Sequence, residues 1–153
     1  MEKQMKKSVV VLIGLIYIAS IALVSFFGLK FKVFEEVVYV ESVELLNEGL
    51  LVPEFEADFD YYALVAPNEQ GELRYQIKYR VHPDNATDQR VDFVLENASG
   101  DGEVTGVSVD ANGVVKMEKV GTAVIVSVVA KNGSGEKASA SIALFAVTEL
   151  PSG

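Results

Sequence analysis

The chain has 153 residues, no cysteine, one histidine, and 22 acidic against 13 basic side chains, for a net charge of −9. That length holds one domain and an appendage. The lack of cysteine excludes disulfides, thiolate catalysis, cysteine-ligated zinc and a lipid anchor on cysteine, and the acidic balance argues against nucleic acid as a partner.

The charge is divided unevenly. Residues 1–32 hold five lysines and one glutamate, or +4, and the other 121 residues hold 8 basic and 21 acidic groups, or −13. Residues 1–7 form a basic head with Lys3, Lys6 and Lys7. Residues 8–29 follow, 22 in all and none of them charged. As a helix they extend about 33 Å at about 1.5 Å per residue, enough for a hydrocarbon core of about 30 Å. A cleaved signal peptide is the rival reading, with an apolar run of about 7–15 residues and a small-x-small cleavage site. This run is longer and ends in Val24-Ser25-Phe26-Phe27-Gly28, bulky where a peptidase needs small side chains. The expectation is an uncleaved signal-anchor, a single-pass transmembrane helix. The lysine bias puts the N-terminus in the cytoplasm, so the remainder is expected to stand outside it. No ionisable group lies mid-span, which argues against a transport role.

Residues 30–36 read as a juxtamembrane connector, and the pattern then switches to period two, the mark of strands. Residues 37–45 are β-branched and predict a first strand. Residues 47–71 form a longer link in which 54–61 alternate strictly. Phe55, Ala57, Phe59 and Tyr61 share one face, and Glu54, Glu56, Asp58 and Asp60 share the other. Residues 72–82 predict one continuous strand, ended by Pro83. Strands are also expected at 91–96, 104–109, 114–118, 122–131 and 136–147. Asn112-Gly113 and Asn132-Gly133 supply turns between them. Seven or eight short strands with turns at this spacing predict an all-β sandwich over 37–147, with residues 148–153 as a disordered tail.

Several segments come in the order of a known family. They are Tyr79-Arg80-Val81-His82-Pro83-Asp84-Asn85-Ala86-Thr87, Val91-Asp92-Phe93, Val107 through Val115, and Gly121-Thr122-Ala123-Val124-Ile125. In these the chain resembles the bacterial immunoglobulin-like domain, group 2. It departs from the family at Phe93-Val94-Leu95-Glu96, where an aromatic followed by serines is usual, and in the longer link 47–71. The resemblance implies an immunoglobulin-like β-sandwich of the kind found in adhesins and envelope proteins, used for binding or spacing.

Candidate chemistry is sparse. His82 sits at a strand end beside Pro83, with no suggested nucleophile or second histidine, so it reads as a solvated turn residue. Asp110-Ala111-Asn112-Gly113 resembles half of a calcium loop but lacks the later ligands, and reads as a hairpin turn. The stripe Glu54, Glu56, Asp58 and Asp60 needs positive charge nearby. Arg74, Lys78 and Arg80 offer a matching row if the two strands are neighbours, and a weak Ca²⁺ site is the alternative. In the last two long strands, placing Ala123, Ile125 and Val129 inward turns Val124, Val126 and Val128 outward. With Ile142 and Leu144 inward, Phe145 and Val147 also face out, and Val94 joins them. These six would form an apolar interface. The link 47–71 or a partner would cover it.

No catalytic, cofactor or metal residue is singled out, and an enzyme is not expected. The sequence predicts a cell-membrane protein with an extracytoplasmic, non-enzymatic binding, adhesion or spacer module. The alternative is an accessory subunit of a cell-envelope complex that docks through the apolar sheet face and the anchor. A protein or a cell-envelope polymer is the expected partner, and self-association is open.

Overall fold

A computed structural model describes residues 6–31, 36–135 and 138–152. Two compact units divide the chain, Met1–Glu36 and Val37–Gly153.

The first unit contains one helix, α1 (Lys7–Phe31, 25 residues). It has no proline, and Ser20 returns its hydroxyl to Ile16 O at 2.8 Å, so that polar group is satisfied within the helix. Apolar side chains point in every direction from Lys7 to Phe27, and none of this stretch is buried against protein. A helix apolar all round needs an apolar surrounding. By length and composition this one is a signal sequence or a membrane anchor.

Among the described residues the second unit is a β-domain of nine strands. They are β1 (Ser42–Leu45), β2 (Tyr61–Val65), β3 (Leu73–Gln76), β4 (Tyr79–His82), β5 (Val91–Asn97), β6 (Val107–Val109), β7 (Val114–Met117), β8 (Ala123–Ala130) and β9 (Ser139–Ala146). They form three sheets, ordered β1-β4, β2-β9-β8-β5 and β3-β7-β6, which do not close into a barrel. All pairs are antiparallel except β2 with β9, which is parallel with Tyr61 opposite Ile142. The three sheets share one apolar core, with Leu45, Leu73, Val115, Val126 and Leu144 among its members. Val40, before β1, is fully buried and bridges in parallel to Gly133, its N–H donating to Asn132 O at 2.9 Å.

Two expectations are corrected. The continuous strand over 72–82 is two strands in different sheets, because the chain changes sheet at Ile77 and Lys78. The Asn47 side chain spans the break: its Nδ2 donates to Gln76 O at 2.7 Å and its Oδ1 accepts from Lys78 N–H at 2.8 Å. Ile77 turns into the core, and its N–H donates to Gly113 O at 2.9 Å. Residues 54–60, predicted as strand, have no ladder; regular pairing begins at Tyr61. Alternation there lacked a neighbour with free peptide groups. Of the two coverings left open for the outer face, the link 47–71 supplies a part, setting Asp58 beside Ile125. It contributes β2 as an edge strand beside β9, while Phe55 is 69% exposed.

The 110–113 turn is as expected. Asp110 Oδ1 accepts from the N–H groups of Asn112 and Val114, both at 2.9 Å, and Gly113 takes the positive φ of 79°. Residues 147–152 carry no regular structure. Of the 30–36 connector, residues 32–35 lie outside the described residues.

Candidate functional site

The sheet β2-β9-β8-β5 has one face on the core and one away from it. The inner face is fixed by Val124, Val126 and Val128 on β8 and by Ile142 and Leu144 on β9, all fully buried in the core. The outward assignment of Val124, Val126 and Val128 is therefore overturned. β8 reads Ala-Val-Ile-Val-Ser-Val-Val-Ala, apolar on both sides, so alternation alone does not orient it. Its register does. Val126 lies opposite Ile142 and Ser127 opposite Ser141, and cross-strand partners share a face. The single serine of β8 was the available signal.

The outer face carries Tyr62 and Leu64 from β2, Ala143 and Phe145 from β9, Ala123 and Ile125 from β8, and Val94 from β5. Register sets Tyr62 beside Ala143, Ala143 beside Ile125, and Ile125 beside Glu96. The next row sets Leu64 beside Phe145 and Phe145 beside Ala123. Tyr62 and Phe145 meet edge to face with ring centroids 6.3 Å apart. Ile125 faces outward yet is only 7% exposed, because Asp58, Asn97 and Ala98 wall a cleft beside it. Val94 is 43% exposed, Phe145 is half-buried, and Val147, beyond β9, is half-buried with its N–H donating to Val65 O at 2.9 Å. Of the six residues expected to form an interface, Val94 and Phe145 thus lie on the outer face, whereas three belong to the core. Tyr62 and Leu64 were missed. They reach this face only through a parallel pairing between distant segments, for which local sequence holds no signal.

One polar row closes the apolar band. Asp60 N–H donates to Ser141 Oγ at 3.0 Å, and Asp60 Oδ2 accepts from Ser141 N–H at 2.9 Å and from its hydroxyl at 3.0 Å. Ser141 is opposite Ser127, and Ser127 is opposite Val94.

The expected charge pairing is also corrected. Glu54, Glu56, Asp58 and Asp60 make no ion pair with Arg74, Lys78 or Arg80, since β3 pairs with β7 and β4 with β1. Arg74 bonds Glu72 at 3.3 Å, Arg80 stands opposite Glu44 in register, and the Lys78 N–H goes to Asn47. His82 meets Glu44 at 2.8 Å and Asp84 at 4.0 Å, all three exposed. Exposed pairs of this kind contribute about 0–1 kcal/mol. Among the described residues no group of three or more His, Asp or Glu is placed to hold a metal ion.

The most polarised group lies at the entrance to β5. Arg90 forks onto Asp88, with Nε to Oδ1 at 2.9 Å and Nη2 to Oδ2 at 2.6 Å, and its N–H also donates to Oδ1 at 3.0 Å. These bonds, the side-chain ones first, hold the Asp88 carboxyl down at about 2. Burial pushes the Tyr75 phenol upward. Compared with protein-family models and with curated proteins, the chain matches none.

Proposed function

We propose that the chain is a membrane-anchored, extracytoplasmic binding module: α1 stays in the bilayer as a single-pass anchor, and the acidic β-domain acts outside the cytoplasm without catalysis. The observation that carries this reading is α1 itself, 25 residues long and apolar on all sides from Ser8 to Phe27. An exposed helix of that character is stable only in lipid. The span exceeds what a signal peptide needs, and the lysines before it favour an N-terminus inside.

The β-domain is read as an immunoglobulin-like sandwich similar to the bacterial group 2 domain. In support, the motif segments fall on elements in order. Residues 79–82 are β4, 91–93 open β5, 107–115 span β6, its turn and the start of β7, and 121–125 lead into β8. A core shared by faces of separate sheets fits the same architecture. A second reading, a subunit of a cell-envelope complex, is favoured by the outward Tyr62, Leu64 and Phe145, which give the sheet an apolar outer band.

The test is protease added to intact bacterial cells expressing the chain, with mass analysis of the mature N-terminus. The expected result is digestion of residues beyond 36 with residues 1–7 retained on the mature chain. A mature chain starting after Gly28, or a C-terminal part untouched by protease, overturns the anchor. Native sizing in mild detergent separates the two readings: a defined assembly with other proteins supports the subunit.

A further inference from the structure

β5 is the last strand on its side of the four-stranded sheet. Its phase against β8 is fixed by Lys131 N–H, which donates to Arg90 O at 2.9 Å. In an antiparallel ladder alternate residues turn both peptide groups toward the partner. Arg90, Asp92, Val94 and Glu96 therefore face β8, and Val91, Phe93 and Leu95 turn their N–H and C=O groups away from it. Among the described residues nothing bonds these outward groups, and β6, on the neighbouring sheet, pairs only with β7. An unpaired edge of this kind is a template for another strand. β5 contains no proline and no lysine, and its two charges, Asp92 and Glu96, make only some pairing registers unfavourable.

We propose that β5 is the contact edge of a homodimer, two copies pairing β5 to β5 antiparallel about Phe93 and joining their sheets into one. Charge and register select this occupant. The faces of the joined sheet must match, so a core-facing residue lies opposite a core-facing residue, and only alternate registers are open. Pairing about Phe93 sets Arg90 of each copy opposite Glu96 of the other, and Asp92 opposite Val94. Pairing about Val94 sets Asp92 opposite Glu96 twice, and pairing about Asp92 sets that residue against itself and Asp88 against Glu96. Like charges directly opposite are unfavourable. Pairing about Leu95 sets Val94 against Glu96 and shortens the ladder. Pairing about Val91 sets Arg90 opposite Asp92 but leaves all of β5 beyond Val91 without a strand partner, so among registers that pair strand with strand the Phe93 register alone places opposite charges across the contact. Arg90 has capacity for it: its fork to Asp88 uses Nε and Nη2, leaving Nη1 for a second carboxylate. The inference rests on the sheet edge and not on the fate of α1, so it fails or survives separately from the anchor.

The chain has no cysteine, so introduced thiols report cleanly. In the Phe93 register, positions 92 and 94 of opposite copies form a non-hydrogen-bonded pair with Cα atoms about 4.5 Å apart, within disulfide reach. Full-length Asp92→Cys and Val94→Cys chains with different tags are mixed in proteoliposomes and oxidised mildly. Val52→Cys, exposed beside β2 at the opposite edge of the sheet, measures random collision. The expected result is a mixed Asp92→Cys/Val94→Cys dimer at least tenfold above the collision level, lost with Glu96→Arg and restored with Arg90→Glu/Glu96→Arg in both chains. A mixed yield equal to the collision level overturns the edge contact. Predominant Val94→Cys self-coupling overturns the Phe93 register. Failure of the double charge exchange to restore coupling overturns the Arg90–Glu96 selection.

Discussion

The Asn47 amide takes the place of a strand neighbour. It donates to one side of the Ile77–Lys78 break and accepts from the other, so the chain changes sheet without leaving Gln76 O or Lys78 N–H unpaired. Asn47→Ala removes both bonds, and each is worth about 0.5–1.5 kcal/mol. The expected loss is about 1–2 kcal/mol in urea unfolding of the full chain in detergent, with Asn47→Asp, which keeps the acceptor, losing less. At Asp88 the relevant variable is pH. A carboxyl held lower in the folded chain than in the unfolded one adds stability above about pH 4 and loses it as pH falls through the folded value. For Asp88 that value is about 2. An NMR titration of its carboxyl carbon should show a midpoint near 2 in the parent. Arg90→Ala should raise it toward the ordinary range, and the acid-side loss of stability that this group contributes should then disappear. The two valines, Val94 and Val126, separate the faces of the sheet. Val126→Asp places an unpaired charge in a fully buried site and should cost more than about 4 kcal/mol, leaving the domain unfolded. Val94→Ala, on the exposed side, should stay within about 0.5 kcal/mol by the same measurement.

At the scale of elements, the hairpin joining β6 and β7 depends on Gly113. Its φ is +79°, and a Cβ there would lie 2.8 Å from Phe93 Cζ, a ring already packed edge-on to Tyr79. Gly113→Ala combines backbone strain with a clash and should cost more than about 1 kcal/mol, read as a lowered thermal midpoint. Much of the element list was legible because turn chemistry and alternation agreed: β5, β7, β8 and β9 lie within or nearly at the boundaries expected. What was not legible shares one cause, that pairing partners are chosen across the chain. Residues 54–60 alternate as strictly as any strand yet find no neighbour, while Tyr61–Val65 pairs in parallel with a strand some eighty residues away. Residues 72–82 read as one strand, since alternation continues through Ile77 and says nothing of a change of sheet. β8 is apolar on both sides because its outer face is itself half covered, at Ile125, by the Asn97–Ala98 loop and Asp58. The outer apolar band was legible at Phe145 and Val94, invisible at Tyr62 and Leu64, and misread at Val124, Val126 and Val128.

Over the whole molecule the two units differ in charge: Met1–Glu36 holds five lysines and three glutamates, or +2, and Val37–Gly153 holds 8 basic and 19 acidic groups, or −11. If α1 is retained, alkaline carbonate extraction leaves the full chain in the membrane pellet, whereas a chain beginning at Val37 partitions to the supernatant. The order of strands has a further consequence. β9 comes last of the nine, yet it lies inside its sheet between β2 and β8. Neither neighbour has its full complement of peptide bonds until residues 139–146 arrive. Partial chains that stop short of residue 139 therefore lack the central plank of their largest sheet. On the extracytoplasmic placement proposed above, such late closure keeps the crossing thread slack until β9 has been delivered to the far side.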